Sequence, residues 1–249
     1  MAIRSSASPT SAPAPHKLNN EEELRALFEH GFSEPMILEE YVPGDCFTFD
    51  GITNSRKEVQ FATSHHYVGS IMDSVNDSDS IGCYSLIDIP EDIMDVGTRC
   101  VAAFDTRSRF VHFEFFRLRE DREGLGKQGD ILGLEVNMRP PGGFLPDMIN
   151  YANDFDIYDI WARVMIDDGV LIEPHQRHSC AFAGRRDSVR YAHSDFEISN
   201  RYHDQLKMMQ RLPAALASAM GDTVSVALFD TMDEVKEFFA FTMKKKVQQ

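Results

Sequence analysis

Residues 135–143 read EVNMRPPGG, with Glu135, Asn137 and Arg139 at every second position before the run stops on two prolines and two glycines. Extended back to Ile131 the pattern is ILGLEVNMR. Strand alternation sends Leu132, Leu134, Val136 and Met138 to one face and Glu135, Asn137 and Arg139 to the other. One face suits a core; the other carries a carboxylate, an amide and a guanidinium. The stretch FVHFEFFRL, 110–118, repeats the plan with Val111, Phe113 and Phe115 against His112 and Glu114. Between the two lies REDREGLGKQGD, polar and rich in glycine, which suits a hairpin loop. A turn centred near Gly124 to Gly126 puts Glu114 opposite Glu135 and His112 opposite Asn137. A slip of one residue would undo that register.

Two carboxylates opposed on adjacent strands repel, so the pair calls for a compensating cation. A donor set of oxygens suits Mg²⁺ or Mn²⁺, which keep several waters and also bind phosphate oxygens. Arg139 then offers a planar donor fork to an anionic oxygen. The competing reading is plain: solvated carboxylates are common on the open face of an antiparallel hairpin, and PPGG by itself is only a turn.

The rest of the chain bounds the choice. Its 249 residues are 43% hydrophobic and 10% aromatic, a core-forming composition, and the formal net charge of -15 disfavours nucleic acid or an anionic membrane as partner. No apolar run approaches the roughly 20 residues that span a bilayer. Cys46, Cys83, Cys100 and Cys180 are widely spaced and form no ligand pattern, so free thiols in a reducing, cytoplasmic setting are expected. Residues 1–15 read as a disordered tail because Pro9, Pro13 and Pro15 suit neither a helix interior nor a central strand.

NNEEELRALFEHG predicts a helix capped by Asn19 or Asn20 and stopped by Gly31. MILEEYV follows as a strand, and FTFDGITN pairs with EVQFATSHHYV around Asn54 to Lys57. Residues 69–88 make a poor case for regular structure. PEDIMDVGTRCVAAFD is a helix with Pro90 at its first position, and YANDFDIYDIWARVMIDDG is one helix ending at Gly169. SCAFAGRRDSVRYAH reads as a hairpin turning near Gly184 to Asp187, YHDQLKMMQRL as a helix, TVSVALF as a strand and MDEVKEFFAFTMKKK as a last helix. Hairpins mixed with helices predict an α+β fold.

At this point EVNMRPPGG resembles the metal-binding strand of ATP-grasp proteins, the superfamily of biotin carboxylase, carbamoyl phosphate synthetase and D-alanine ligase. Glu114 in HFEFF matches the second metal-binding glutamate. MILEEYVPGDCFTFDG resembles the family hinge, which implies that Glu39, Glu40 and Val42 line the adenine and that Asp45 or Cys46 falls at a ribose-binding position. HKLNNEEELRALF resembles the helix after the phosphate-covering loop. The resemblance covers about residues 16 to 168 and implies an antiparallel sheet with packed helices, a truncated N-terminal lobe and, over 169–249, an α+β extension. It implies ATP and Mg²⁺ or Mn²⁺ as cofactors. The chemistry it implies is ligase-like: a small carboxylate is activated as an acyl phosphate for attack by an amine or other nucleophile. Glu114, Glu135 and Asn137 would hold the metal, and Arg139 would steady the transferred group. A homo-oligomer is left open.

The chain departs from that pattern early. It has no glycine before Gly31, and Lys17 is its first lysine. MAIRSSASPTSAPAPHKL stands where the family has a strand, a lysine and a glycine loop whose backbone donors cover the phosphates. A non-catalytic remnant, or a chain completed by a partner, is therefore the alternative. A hydrolase built on a pair of carboxylates is a third reading, against which the hinge-like MILEEYV counts. Elsewhere, His65 and His66 are adjacent on a strand and face opposite ways, so a structural role is expected. Arg185, Arg186 and Arg190 suggest a solvated turn before an anion subsite or an intersubunit contact. Asp73, Asp77 and Asp79 resemble a calcium loop only in composition. Trp161 and Phe155 read as core, and Lys207 in LKMMQ lacks the surroundings of a biotin carrier.

Overall fold

The computed structural model describes residues 2–5, 16–32, 35–69, 80–172 and 177–246. Among them the chain is α+β, with two antiparallel sheets and helices packed on the larger one. Strands β1 (Ala2–Ser5), β2 (His16–Lys17) and β3 (Met36–Glu39) make the small sheet in the order β2-β1-β3. The segment read as a tail thus contains a strand, paired with β3 from Ala2↔Glu39 to Ser5↔Met36. Its prolines come only after that strand, so no ladder bond is lost to them. Helix α1 (Glu21–His30) starts where the Asn20 side chain accepts from the Glu23 N–H at 2.8 Å, and Gly31, at φ 71°, ends it.

The large sheet has nine strands: β4 (Gly44–Thr53), β5 (Val59–Thr63), β6 (His65–Val68), β7 (Ile81–Ser85), β8 (Arg109–Leu118), β9 (Ile131–Asn137), β10 (Ser179–Arg185), β11 (Leu206–Arg211) and β12 (Thr223–Phe229). Their order is β11-β12-β10-β7-β6-β4-β8-β9, with β5 beside β4. Strands β10 to β12, from the C-terminal extension, continue the sheet that holds β4 and β8. The boundary expected near residue 168 therefore falls within one sheet.

Strands β4 and β8 pair along their whole lengths, Gly44↔Leu118 to Thr53↔Arg109, and opposed residues share a face. Phe47, Phe49, Phe113 and Phe115 face helix α2 (Glu91–Ala103) and pack on its Ile93 and Val101. A Cβ on Gly97 would lie 2.3 Å from the Phe49 ring, so glycine allows the helix to close on the sheet. On the other face, α3 (Leu145–Asn153) sets Leu145, Met148 and Ala152 on Cys83, Cys180, Phe182 and Val226. Helix α4 (Ile157–Asp167) covers Ile52, Phe61 and Phe110 on that same face. Helices α5 (Asp195–Arg201) and α7 (Met232–Thr242) pack Ile198, Val235 and Phe238 on Ala181, Ala183 and Ala227. The remaining helix, α6 (Ala214–Met220), leads into β12.

Several expected elements differ. The single helix over 151–169 is two, broken at Asp154 with φ 51° and restarted by Asp156, whose side chain caps Tyr158 N. Helix α3 begins directly after the PPGG turn. The stretch 69–88 contains β7, a five-residue strand paired on both sides by β6 and β10; Asp73, Asp77 and Asp79 lie outside the described residues. EVQFATSHHYV is broken at Ser64 into β5 and β6. Pro90 is the N-cap of α2 rather than its first turn. The expected hairpin after β10 is not formed, because β10 pairs with β7 and β12 instead. LKMMQR is an edge strand on β12, not a helix. Sheet pairing overrides the helix preference of Leu, Lys, Met and Gln there.

Candidate active site

The hairpin of β8 and β9 adopts the expected register: His112↔Asn137, Phe113↔Val136 and Glu114↔Glu135. The loop turns where glycine permits it, with Gly124 at φ 82° inside an Arg122↔Gly126 bridge. A bulge between Glu114 and Phe115 then shifts the pairing, so Phe116 faces Leu132. Leu132 therefore stands on the Glu135 face, not with Val136 as strict alternation demanded. The apolar side of β9 is only partly a core: β9 is the sheet edge and none of its residues is buried, so Ile131 and Met138 pack at the margin of the cluster under α2 while Val136 is 36% exposed. Of the carboxylates, Glu114 keeps 13% of its side chain exposed while Glu135 is exposed. Among the described residues the Asn137 Nδ2 is buried without a partner.

Behind Glu114 lies a polar network that the sequence reading passed over. Thr48 and Asp50 in FTFD fall opposite Glu114 and His112, and all three of Thr48, Asp50 and His65 are 0% exposed. Asp50 accepts from Thr48 Oγ1 at 2.5 Å, from His65 Nδ1 at 2.8 Å and from His112 Nδ1 at 2.6 Å. The other His112 nitrogen, Nε2, is 3.3 Å from Glu114 Oε1. An ionised carboxylate only accepts, so both histidines donate through Nδ1. Burial alone would push the Asp50 carboxyl up, but the charge and hydrogen bond of His112, with those of His65, hold it well below the usual carboxylate range. For His112, burial acts downward and is outweighed by Asp50 and then Glu114, which raise it to about 10. The signal was present in the sequence: polar residues at alternate positions inside two aromatic strands, FTFD and VHFEF.

His65 and His66 do face opposite ways. His66 leans on Phe47 and Tyr84, with ring centroids 4.5 Å and 5.2 Å away, whereas His65 belongs to the Asp50 network.

Comparison with known proteins bears on this arrangement. No protein-family model and no curated protein sequence matches the chain. Solved structures do. The L-amino acid ligase of Bacillus licheniformis is similar over 100% of this chain and 63% of its own, with a TM-score of 0.67 and 11% identity. N5-carboxyaminoimidazole ribonucleotide synthetase of Thermotoga maritima gives 0.60 and 15%, over 100% and 63%. The Staphylococcus aureus N5-carboxyaminoimidazole synthetase, complexed with ADP, gives 0.62 and 9%, over 95% and 59%. The chain has the ATP-grasp fold. It spans about 60% of the length of these ATP-grasp structures.

Within the ATP-grasp fold the expected site residues separate into two groups. Glu114, Glu135 and Asn137 come together with His112 on one patch, while among the described residues no three His, Cys, Asp or Glu converge as a metal-ligating group. The hinge residues lie apart. Glu39 ends β3 half-buried, exposed Glu40 meets Arg122 at 3.5 Å, and the Val42 carbonyl accepts from Gly44 N at 3.0 Å. Asp45 pairs with Arg119 at 3.7 Å and, by alternation, stands on the face of β4 opposite to Glu114. Cys46 shares the Glu114 face, buried, and burial together with the Glu114 charge pushes its thiol well up. Arg139, past the end of β9, is exposed and donates to its neighbour's carbonyl, Pro140 O, at 2.9 Å. Trp161 and Phe155 pack in the α4 core as expected. Arg185 and Arg186 are not a solvated turn. Both are buried; Arg185 pairs with Asp195 at 2.7 Å, and Arg186 donates to the Ala217 and Ser218 carbonyls at the end of α6.

Proposed function

We propose that the chain binds ATP with Mg²⁺ or Mn²⁺ and is ligase-like, activating a small carboxylate as an acyl phosphate for attack by an amine or other nucleophile. The observation that carries this is the Glu114↔Glu135 pair beside Asn137 on an ATP-grasp sheet. These residues fit a hard cation. They offer two carboxylates and an amide oxygen, all hard donors, and the carboxylates face one another across a strand pair, where a cation would offset their repulsion. Glu114, Glu135 and Asn137 would hold the metal, whose charge would offset that of the phosphates. Arg139, exposed and among the described residues tied only to its own turn, would swing to an anionic oxygen and steady the transferred group. Glu39, Glu40 and Val42 are assigned to the adenine and Asp45 to the ribose. The Asp45 assignment requires the sugar to lie on the β4 face away from Glu114. The four cysteines are unpaired, which fits a reducing, cytoplasmic setting.

One feature favours a second reading, a non-catalytic protein or one that needs a partner chain to complete the nucleotide site. Residues 6–15, SASPTSAPAP, contain no glycine and three prolines, which lack the N–H that would donate to a phosphate.

Calorimetric titration with ATP, with and without Mg²⁺, separates the two. Magnesium-dependent heat that Glu135→Gln abolishes supports the first. No binding by folded wild-type chain overturns it in favour of the second.

A further inference from the structure

Glu114 and Glu135 face one another but are not equivalent. Glu114 is on an interior strand, 13% exposed, with the imidazole of His112 beside it at 3.3 Å. Glu135 is on the edge, exposed, and no hydrogen bond or ion pair is found for its side chain among the described residues. Behind Glu114 the chain of contacts runs inward: Glu114 Oε1 to His112 Nε2, His112 Nδ1 to Asp50 Oδ1 at 2.6 Å, and Asp50 Oδ2 to Thr48 and His65. Asp50 is fully buried and held by three donors, so it is the fixed end. The His112 ring has one nitrogen on that fixed end and the other on the carboxylate at the surface. A ring tethered in this way has no rotational freedom left, and it presents its Nε2–H along one direction.

We propose that His112 is a positioning residue: anchored on Asp50, it orients the Glu114 carboxylate and thereby sets how tightly this patch holds a divalent cation. The proposal rests on the metal reading of Glu114, Glu135 and Asn137. Sequence order supports the division of labour. Residues 112 and 114 lie on one face of the same strand, so the imidazole needs no loop to reach Glu114, and Asp50 is directly opposite His112 on β4. The network therefore spans three strands, β6, β4 and β8, whose register fixes each member. Edge strand β9 supplies Glu135 without such backing.

The two nitrogens of His112 can be removed one at a time. His112→Asn places an amide nitrogen near the Nδ1 position, keeping a donor for Asp50 and losing the one for Glu114. His112→Gln places it near Nε2 and does the reverse. Binding of Mn²⁺ in the presence of ATP is read by electron paramagnetic resonance on the full chain, beside Glu135→Gln, with urea unfolding to establish that each variant is folded. His112→Asn is expected to weaken Mn²⁺ about tenfold, while His112→Gln stays within about threefold of wild type. A purely structural histidine would give the opposite order, because the Asn variant keeps the buried Asp50 satisfied. Equal losses, or a larger loss in the Gln variant, overturn the proposal. If Glu135→Gln leaves Mn²⁺ binding unchanged, or wild type does not bind, the metal reading itself fails and the proposal falls with it. Should neither His112 variant fold, ¹⁵N spectra of the wild-type and Glu114→Gln proteins, free of metal, decide. The His112 Nε2 resonance is expected to move on loss of the Glu114 charge, and a resonance that stays in place refutes the contact.

Discussion

Two halves of one face of the nine-stranded sheet are built on opposite principles. Over β7, β10 and β12 the face is apolar, with Cys83, Cys180, Phe182 and Val226 closed off by α3. Over β4, β6 and β8 the same face carries Thr48, Asp50, His65, His112 and Glu114. In the first half each side chain is stabilised by area removed from water, which is non-directional and tolerates exchange of one hydrocarbon shape for another. In the second half the groups stabilise one another only as a set, since each buried charge is compensated by a particular neighbour. The difference shows why one part of this face is scaffold and the other is suited to chemistry: only the polar half holds groups whose direction is fixed.

Near-isosteric substitutions break the comparison most sharply. Asp50→Asn keeps the volume but strips His112 and His65 of their anion, and is expected to cost about 3–5 kcal/mol as an uncompensated buried group. Met148→Leu, in the apolar half, should cost less than about 1.5 kcal/mol. Urea unfolding midpoints for the two variants check this, and equal losses would mean that the Asp50 network is solvated. The apolar half is sensitive to volume instead. A Cβ on Gly184 would lie 1.9 Å from the Met220 carbonyl oxygen. Gly184→Ala is therefore expected to lose roughly 1–3 kcal/mol with no change of charge, again read from the urea midpoint.

The two halves also differ in how far the sequence disclosed them. The β8–β9 register was legible because two polar-apolar alternations flank one glycine-rich loop, so symmetry alone set Glu114 against Glu135. The strand β7 was not, because five residues beside a polar stretch carry no period that distinguishes them from loop; pairing on both sides makes the strand. LKMMQR failed for the related reason that its residues favour helix in isolation and only the free edge of β12 recruits them. The Asp50 network was half legible. His112 and Glu114 were placed, but Asp50 and Thr48 needed the β4–β8 pairing, which joins residues about 60 apart and is fixed by no turn. Arg185 and Arg186 looked like a solvated turn since nothing local announces that α6 ends over them.

Stability also depends on pH, and the sign follows from His112. Its imidazole rises from 6.5 to about 10 on folding, so the folded chain holds a proton that the unfolded chain releases in that interval. The stabilisation is complete below about pH 6.5, is lost progressively as the pH rises above it, and is gone beyond about pH 10. Asp50, shifted the other way, contributes its share above about pH 3.9 and loses it only on acidification, so it is silent here. Between pH 7 and 8 the urea midpoint of wild type should therefore fall, and in His112→Gln, which has no proton to release at that position, this part of the slope should vanish. A slope unchanged by the substitution would assign the pH dependence to other groups. The imidazole would then have to be neutral in the folded chain, and the polar half would be held by hydrogen bonds alone.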